Sequence, residues 1–174
     1  MRKKQSDLKL YSERRDTTQS GEPAGLSNKK DSPLIFVIQK HDASHLHYDF
    51  RLAIDGVLVS WAVPKGPPRR AGVKRLAVQT EDHPLAYATF EGTIPSGNYG
   101  AGTVTIWDHG TYSNAGTTSL QHQLNVGKLE FELYGRELQG KYVLIRLKNK
   151  PSDWLLMKMK KSSAAESFDE IRYR

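Results

Sequence analysis

The sequence contains no cysteine and no long hydrophobic run. The absence of cysteine excludes a disulfide framework, a thiolate metal site and a cysteine nucleophile. No apolar stretch approaches the roughly 20 residues that a membrane-spanning helix needs, and the basic N-terminus leads into no apolar signal core. We therefore expect a cytoplasmic protein without a membrane partner. Its 174 residues suit a single domain.

Acidic residues are scarce relative to basic ones. Lys and Arg number 26 against 19 for Asp and Glu, so the formal net charge is +7. The excess is clustered, because residues 65–75 hold five basic residues and no acidic one, and residues 141–161 hold seven basic residues and one acidic one. A solvated surface explains either run taken alone. A basic excess of this kind also favours a polyanionic partner such as nucleic acid.

Composition divides the chain into three parts. Residues 1–33 are polar and have no sustained apolar period, which predicts an extended N-terminal arm before a domain over residues 34–160 and a tail over residues 161–174. Within the domain, short β-branched and aromatic runs alternate with Gly, Pro and Asn, which predicts strands over residues 34–40, 46–54, 57–63, 74–80, 103–108, 127–134, 141–148 and 153–159. Helix is predicted only near residues 117–124 and 165–171. The pattern predicts a mainly all-β fold, a closed or nearly closed antiparallel β-barrel of about eight strands with minor helices.

One hairpin can be placed in register from the sequence. Asp55 and Gly56 lie between two apolar runs, which is the strongest short hairpin signal. With these two residues as the loop, Arg51 lies opposite Ser60. Since side chains alternate along a strand, the apolar residues at positions 46, 48, 50 and 52 share one face and can enter a core. The opposite face carries His47, Asp49 and Arg51, and it has room for a ligand.

His41, His47 and Asp49 form an H-x5-H-x-D pattern. Two imidazoles and one carboxylate can hold three positions on a divalent metal such as manganese, iron or zinc, and they leave other positions open for water and substrate. Surface histidines on an edge strand are an alternative interpretation of the same spacing. A fixed cation beside a metal carboxylate opposes metal binding unless the cation pairs with an anion, and phosphate is the natural one. Arg51 therefore favours a metal site that also binds a phosphate.

A further histidine lies beside two carboxylates in the segment Thr80-Glu81-Asp82-His83-Pro84. A carboxylate near an imidazole can orient it and raise its pKa, which suits a proton donor to a phosphate oxygen or a leaving group. We expect Glu81 or Asp82 to keep His83 protonated near neutral pH, and a turn histidine before proline is the alternative. The glycine-rich residues 95–102 lack a Walker lysine and the GxGxxG spacing, which predicts a tight loop rather than a nucleotide cradle.

Residues 36–43 and 46–52, which contain the H-x5-H-x-D-x-R motif, resemble the 3′-phosphoesterase module of bacterial DNA ligase D and its free-standing archaeal and bacterial relatives. The similarity continues over residues 61–67, 81–84, 90–95, 99–100, 140–142 and 154–158. Arg15-Asp16 and residues 22–25 resemble the N-terminal segment of that family. The resemblance therefore covers nearly the whole chain.

The resemblance implies a compact β-barrel with a manganese-dependent active site that acts on the 3′ ends of DNA or of DNA/RNA primer-templates. Members of this family remove a 3′-terminal ribonucleoside and leave a 3′-phosphate, which they then hydrolyse to a ligatable 3′-hydroxyl. The implied metal ligands are His41, His47 and Asp49, and the implied contacts to the scissile phosphate are Arg51, His83 and Tyr87. The implied supporting residues are Lys65, Arg75, Glu81, Arg15, Asp16 and Glu22. Since no ligase module lies in the sequence, we expect a separate DNA ligase and end-joining proteins as partners.

The residues alone leave two other functions open. An H-x-D pattern with a remote histidine also resembles the facial triad of non-haem iron oxygenases. Small β-barrels also serve as non-catalytic nucleic-acid-binding modules. Arg51 and the basic clusters favour phosphate chemistry over the oxygenase. A non-catalytic binding barrel predicts exposed aromatic residues on one sheet face, whereas this face carries His47, Asp49 and Arg51.

Overall fold

The computed structural model describes residues 8–25 and 33–161, which form mainly β-strands. The strands are β1 (Ile35–Asp42), β2 (Leu46–Ile54), β3 (Val57–Val63), β4 (Lys74–Gln79), β5 (His83–Pro84), β6 (Gly92–Ile94), β7 (Gly102–Asn114), β8 (Lys128–Tyr134), β9 (Gln139–Arg146) and β10 (Asp153–Lys158). The helices are α1 (Lys9–Arg14), α2 (Thr17–Ser20), α3 (Leu120–Val126) and a 3₁₀-helix over Leu85–Thr89. No helix in these described residues is long and apolar enough to cross a membrane.

Eight of the strands form a closed antiparallel barrel. Their order around the barrel is β1-β2-β3-β4-β10-β9-β8-β7, and β7 pairs with β1 to close it. The short strands β5 and β6 pair with β3 and β7 outside this circuit. The predicted eight-stranded barrel is therefore confirmed.

The hairpin of β2 and β3 has the register that Asp55 and Gly56 predict. Arg51 pairs with Ser60, and the register continues without a shift along both strands. Asp55 and Gly56 have φ angles of 49° and 85°. Positive φ at both central residues is what a type I′ turn requires, and the twist of this turn matches the twist of the flanking strands.

All eight strands predicted from the sequence are present, with bounds that differ by a few residues, and β7 is longer than expected at 13 residues. The sequence did not predict β5 and β6, because two or three residues are too few to show an alternating pattern. The helix predicted near residues 117–124 is α3, and its N-cap is Ser119, whose side chain accepts from the backbone N–H of His122. The helix predicted over residues 165–171 lies outside the described residues, as does nearly all of the tail.

Two apolar clusters lie on opposite faces of β2. The larger cluster fills the barrel and includes Phe50, Trp61 and Trp154, which are fully buried. The smaller cluster lies outside the barrel, where Tyr11 and Tyr87 pack on the outer faces of β1, β2 and β3. The face of β2 that carries His47, Asp49 and Arg51 is therefore the outer one, and other segments of the chain cover part of it.

The N-terminal arm is not extended throughout, because residues 9–14 and 17–20 form short helices. Asp16 is the N-cap of α2, where its side chain accepts from the backbone N–H of Thr18 at 3.1 Å. A cap of this kind satisfies an otherwise unpaired backbone donor, and a four-residue helix leaves no apolar period in the sequence. The ring of Tyr11 is fully buried, which holds this part of the arm against the barrel. The division into arm, barrel and tail stays a prediction.

Candidate active site

The pairing of β1 with β2 brings the H-x5-H-x-D residues together. His41 lies opposite His47, and Gln39 lies opposite Asp49. Directly paired residues of antiparallel strands point to the same face, and the residues two positions away share that face. All four side chains therefore project from the outer face of the barrel, where they line a cavity or lie directly beneath it.

His41, His47 and Asp49 have the geometry of a metal site. One ligand atom from each residue can be chosen so that all three lie within 4.8 Å of one another. The Nδ1 atom of His41 is 3.4 Å from Oδ2 of Asp49, and the Nε2 atom of His47 is 3.4 Å from Oδ1. A divalent ion could accept both imidazole nitrogens and the carboxylate without a change in strand register.

The second nitrogen of each imidazole is held by a backbone carbonyl. Nε2 of His41 donates to the carbonyl of Gly100 at 2.8 Å, and Nδ1 of His47 donates to the carbonyl of His45 at 2.9 Å. These bonds set the tautomers, so that the lone pairs of His41 Nδ1 and His47 Nε2 face Asp49. Metal-ligating histidines commonly have such outer hydrogen bonds, which orient the ring and raise its basicity. The donor set therefore fits a divalent metal.

Asp49 is ionised in this site. Burial opposes ionisation, but Arg51 and the two adjacent imidazoles outweigh it and lower the pKa of the Asp49 carboxyl well below its usual range. The same carboxylate, 3.4 Å from Nε2 of His47, raises the pKa of that imidazole. The ionised carboxylate and the two imidazole nitrogens that face it are donor types that a divalent cation takes.

Each nitrogen of the Arg51 guanidinium has a different partner. Its Nε donates to Oε1 of Gln39 at 2.7 Å, its NH1 lies 3.2 Å from Nδ1 of His83, and its NH2 lies 3.5 Å from Oδ2 of Asp49. The guanidinium carbon lies 4.9 Å from the centroid of the Tyr87 ring. Arg51 thus links the cluster of His41, His47 and Asp49 to the opposite wall of the cavity, and its side chain is only 4% exposed.

The surroundings of His83 contradict the expectation that carboxylates keep it protonated. Its Nδ1 donates to the backbone carbonyl of Glu81 at 2.9 Å, while its Nε2 accepts from NH2 of Arg15 at 3.2 Å. Burial, Arg51 and Arg15 lower the pKa of His83 well below its ordinary value. The Glu81 carboxylate pairs with Arg15 at 2.9 Å and with Arg14 at 2.8 Å. His83 is therefore neutral in the free protein.

The N-terminal arm forms one wall of the cavity. Arg15 lies at its centre, where its Nε donates to Oε2 of Glu22 at 2.9 Å and its NH1 pairs with Oε1 of Glu81. Tyr87 also donates to Oε2 of Glu22, at 2.7 Å. Burial of Arg15 is outweighed by the two carboxylates, which raise the pKa of its guanidinium. The arm is thus held to the barrel by buried charge pairs.

The structure brings together most of the residues that the sequence indicated. A cavity of about 220 Å³ is lined by Arg15, Glu22, His41, His47, Asp49, Arg51, Glu81, His83 and Tyr87, among others. Three predicted residues do not line it. Asp16 caps α2, and Lys65 and Arg75 line a different cavity of about 500 Å³.

Sequence reasoning missed several residues of this site. Gln39 holds Arg51 and donates to the carbonyl oxygens of Tyr87 and Phe90 at 2.9 and 3.0 Å. Its position two residues before His41 on a predicted strand could have indicated it, since such residues share a face. No comparable sequence pattern indicates Arg14 or Tyr99, because neither the arm nor the loop before β7 shows a regular alternation of polar and apolar residues.

The chain matches a known family over most of the barrel. Residues 39–146 match the family model described as the DNA ligase D 3′-phosphoesterase domain. The chain is 50% identical over 173 residues to the multifunctional non-homologous end joining protein LigD of Pseudomonas aeruginosa, a match that covers 96% of this chain and 20% of that protein. It is 45% identical over 163 residues to the multifunctional non-homologous end joining DNA repair protein LigD of Mycobacterium tuberculosis, with coverage of 93% and 21%.

The chain spans about a fifth of the length of these curated relatives. The family model nevertheless covers the strands and loops that supply His41, His47, Asp49, Arg51 and His83. On these matches, the chain belongs to the DNA ligase D 3′-phosphoesterase domain family.

Proposed function

We propose that this protein is a manganese-dependent phosphoesterase that heals the 3′ ends of DNA or of DNA/RNA primer-templates. It removes a 3′-terminal ribonucleoside to leave a 3′-phosphate, and it then hydrolyses that phosphate to a ligatable 3′-hydroxyl. The observation that carries the proposal is the union, in one cavity, of a His-His-Asp donor set with the guanidinium groups of Arg51 and Arg15. Family membership and the end-joining names of the relatives support the same chemistry.

The donor set suits a divalent ion. His41, His47 and Asp49 offer two nitrogens and one oxygen, which fits manganese, iron or zinc. When bound, such an ion supplies Lewis-acid polarisation of a phosphoryl oxygen and an activated water. The protein itself contributes the fixed imidazole tautomers and the ionised carboxylate of Asp49.

Arg51 and Arg15 hold the phosphate in this proposal. They approach the two nitrogens of the His83 ring from different sides, each at 3.2 Å. Both side chains are nearly buried, at 4% and 6% exposed. Guanidinium groups in a site with little water stabilise negative charge that develops on the non-bridging oxygens, and they require no reorganisation during the reaction.

In this proposal His83 donates a proton to the leaving group. In the free protein its Nε2 lone pair accepts from Arg15. A bound phosphate places negative charge between Arg51 and Arg15. This charge offsets the effect of the two guanidinium groups on His83 and raises the pKa of its imidazole. A proton taken up at Nε2 can then pass to the leaving oxygen of the ester as the P–O bond breaks. His83 therefore acts as the proton donor only when substrate is present.

Lys65 and Arg75 contact the nucleic acid away from the cut. Their cavity is also lined by Arg69 and Arg70, and none of the described residues that line it is acidic. Among the described residues, no carboxylate pairs with Lys65 or Arg75. Unpaired cations along a groove suit backbone phosphates, which supply affinity rather than chemistry.

The activity is tested with primer-templates that end in one ribonucleotide or in a 3′-phosphate. With manganese present, we expect release of the ribonucleoside from the first and of inorganic phosphate from the second. Asp49→Asn is the matched inactive variant, because it keeps the shape of the side chain and removes the charge. Failure of the wild-type protein to act on either substrate would overturn the proposal. Activity that needs iron, oxygen and an oxoacid would favour the oxygenase instead.

The role in end joining follows from the product. A 3′-hydroxyl is what a DNA ligase needs, so the reaction prepares ends for a ligase. We propose that a ligase and end-joining proteins act after this chain. A ligation assay with a 3′-phosphorylated nick tests this, since a ligase alone should fail on that nick and should succeed after the nick is incubated with this protein.

A further inference from the structure

Tyr99 is a half-exposed aromatic residue at the rim of the active-site cavity. Its side chain is part of the cavity lining, and the residue is 48% exposed. By contrast, Tyr87 lines the same cavity and is 2% exposed, and Tyr11 beside it is fully buried. Among the described residues at this site, the ring of Tyr99 is therefore accessible at the mouth of the cavity, whereas Tyr11 and Tyr87 are enclosed.

The position of Tyr99 is tied to the metal donors and to the arm. The carbonyl of the next residue, Gly100, accepts from Nε2 of His41. Gly100 has a φ of +75°, which favours glycine at this position. The hydroxyl of Tyr99 accepts from NH1 of Arg14 at 3.0 Å, and the guanidinium carbon of Arg15 lies 5.2 Å from the ring centroid. These contacts hold the ring at a defined distance from the site.

The cavity is too small for a whole nucleotide. Its volume of about 220 Å³ is below the roughly 300 Å³ at which pockets for small organic ligands begin. A phosphate fits beside the arginines, but an attached nucleoside must extend to the rim. A nucleobase that extends out of a small polar cavity can be bound by stacking on an accessible aromatic ring, because every base can stack on an aromatic side chain.

Tyr99 and the basic residues Lys65 and Arg75 lie on different sides of the site. The loop that carries Tyr99 contacts β1, whereas Lys65 follows β3 and Arg75 is on β4. In the sheet order, the metal donors on β1 and β2 lie between them. If the primer-template on the 5′ side of the scissile phosphate lies along Lys65 and Arg75, the 3′-terminal nucleoside lies toward Tyr99.

We propose that Tyr99 forms a base subsite for the 3′-terminal nucleoside, the one that leaves when the diester is cut. This inference rests on the proposed function, because it assigns the leaving group of that reaction. The subsite acts in ribonucleoside removal only, since a 3′-phosphate has no nucleoside on that side. Tyr99 positions the substrate and takes no part in bond cleavage.

The test compares Tyr99→Leu with the wild-type protein on three primer-templates. The first ends in a ribonucleoside, the second ends in a ribose that lacks a base, and the third ends in a 3′-phosphate. Loss of one base stack lowers kcat/KM by about tenfold or more. We therefore expect Tyr99→Leu to slow cleavage of the first substrate by that factor. Cleavage of the second and third should change little.

Two control variants separate stacking from other roles. Tyr99→Phe keeps the ring and loses the bond from Arg14, so it should retain the preference for a terminal base. Tyr134→Leu removes a tyrosine of similar exposure, 51%, on β8, and it should leave all three rates unchanged. A 2-aminopurine base at the terminal position gives a second readout, because stacking quenches its fluorescence in the wild-type complex.

The outcomes distinguish this inference from the proposed function. If the wild-type protein cleaves the first and third substrates and Tyr99→Leu keeps the preference for a base, the subsite is wrong and the phosphoesterase stands. Equal slowing of all three substrates would also overturn it, because that result assigns Tyr99 to the support of Arg14 and the metal donors. If the wild-type protein cleaves no substrate, the proposed function fails first.

Discussion

Arg15 in the N-terminal arm donates a hydrogen bond to Nε2 of His83 at 3.2 Å, across 68 positions of sequence. The same guanidinium pairs with two nearly buried carboxylates, Glu22 and Glu81. Arg15 and the two carboxylates stabilise one another in the folded chain, since a buried charge without a partner costs several kcal/mol. The arm is therefore part of the cavity wall, and its Arg15 is a second guanidinium there beside Arg51 of β2.

The metal ligands give the most direct prediction. His47→Ala or Asp49→Asn should reduce manganese affinity by more than about 100-fold, because each removes a donor whose orienting hydrogen bonds alone are commonly worth 10- to 100-fold. Both reactions should be lost while the barrel stays folded. Calorimetric titration with manganese and far-ultraviolet circular dichroism measure the two properties. His109→Ala, an exposed histidine on β7, is the control. Near-normal activity of either variant at saturating manganese would contradict the ligand assignment.

Arg51→Lys should reduce turnover by about 100-fold or more, although it conserves the charge. The guanidinium contacts Gln39, His83 and Asp49 through three separate nitrogens, and an ammonium cannot reproduce this fork. Steady-state rates on a 3′-phosphorylated primer-template measure the loss. Arg136→Lys, at an exposed position, serves as the matched control. A variant that retains most of its turnover would show that Arg51 acts only as a charge.

Lys65→Ala and Arg75→Ala should weaken substrate binding and leave turnover at saturating substrate nearly unchanged. They line a cavity separate from the one that holds the metal donors. A lysine or arginine that neutralises one phosphate contributes about one unit to the slope of log affinity against log salt concentration. Binding measured at several salt concentrations should show that decrease in slope. Loss of turnover equal to that of Arg51→Lys would place these residues in the chemistry instead.

The lowered pKa of His83 predicts a pH-dependent stability. In the unfolded chain a histidine has a pKa of about 6.5, so below that pH the unfolded state binds more protons than the folded state. The free energy of unfolding should therefore fall as the pH decreases below about 6.5, by up to about 1.4 kcal/mol per pH unit for this group. Urea unfolding at about pH 7.5 and 5.5 measures the loss. His83→Gln should lose less stability than the wild-type protein, and an equal loss in both would contradict a neutral His83.

Local patterns were sufficient for the part of the site that lies on β2. The Asp55-Gly56 turn sets the hairpin register, and alternation along the strand then places His47, Asp49 and Arg51 on one face. The expected role of His83 could not be derived in this way. Sequence proximity suggested that Glu81 or Asp82 would keep it protonated. In the folded chain Glu81 pairs with Arg14 and Arg15, and burial together with Arg51 and Arg15 lowers the pKa of His83.

The sequence by itself determined the eight strands of the barrel and the face of β2 that carries His47, Asp49 and Arg51, because turn chemistry and a two-residue period act over a few neighbouring positions. Only the tertiary structure decided that Arg15 and Glu22 enter the cavity, that Asp16 caps a helix outside it, and that Lys65 and Arg75 line a separate groove. These placements depend on the docking of the arm and on the closure of the barrel. Both are long-range packing events, in which burial of charges and rings outweighs any preference encoded in the local sequence.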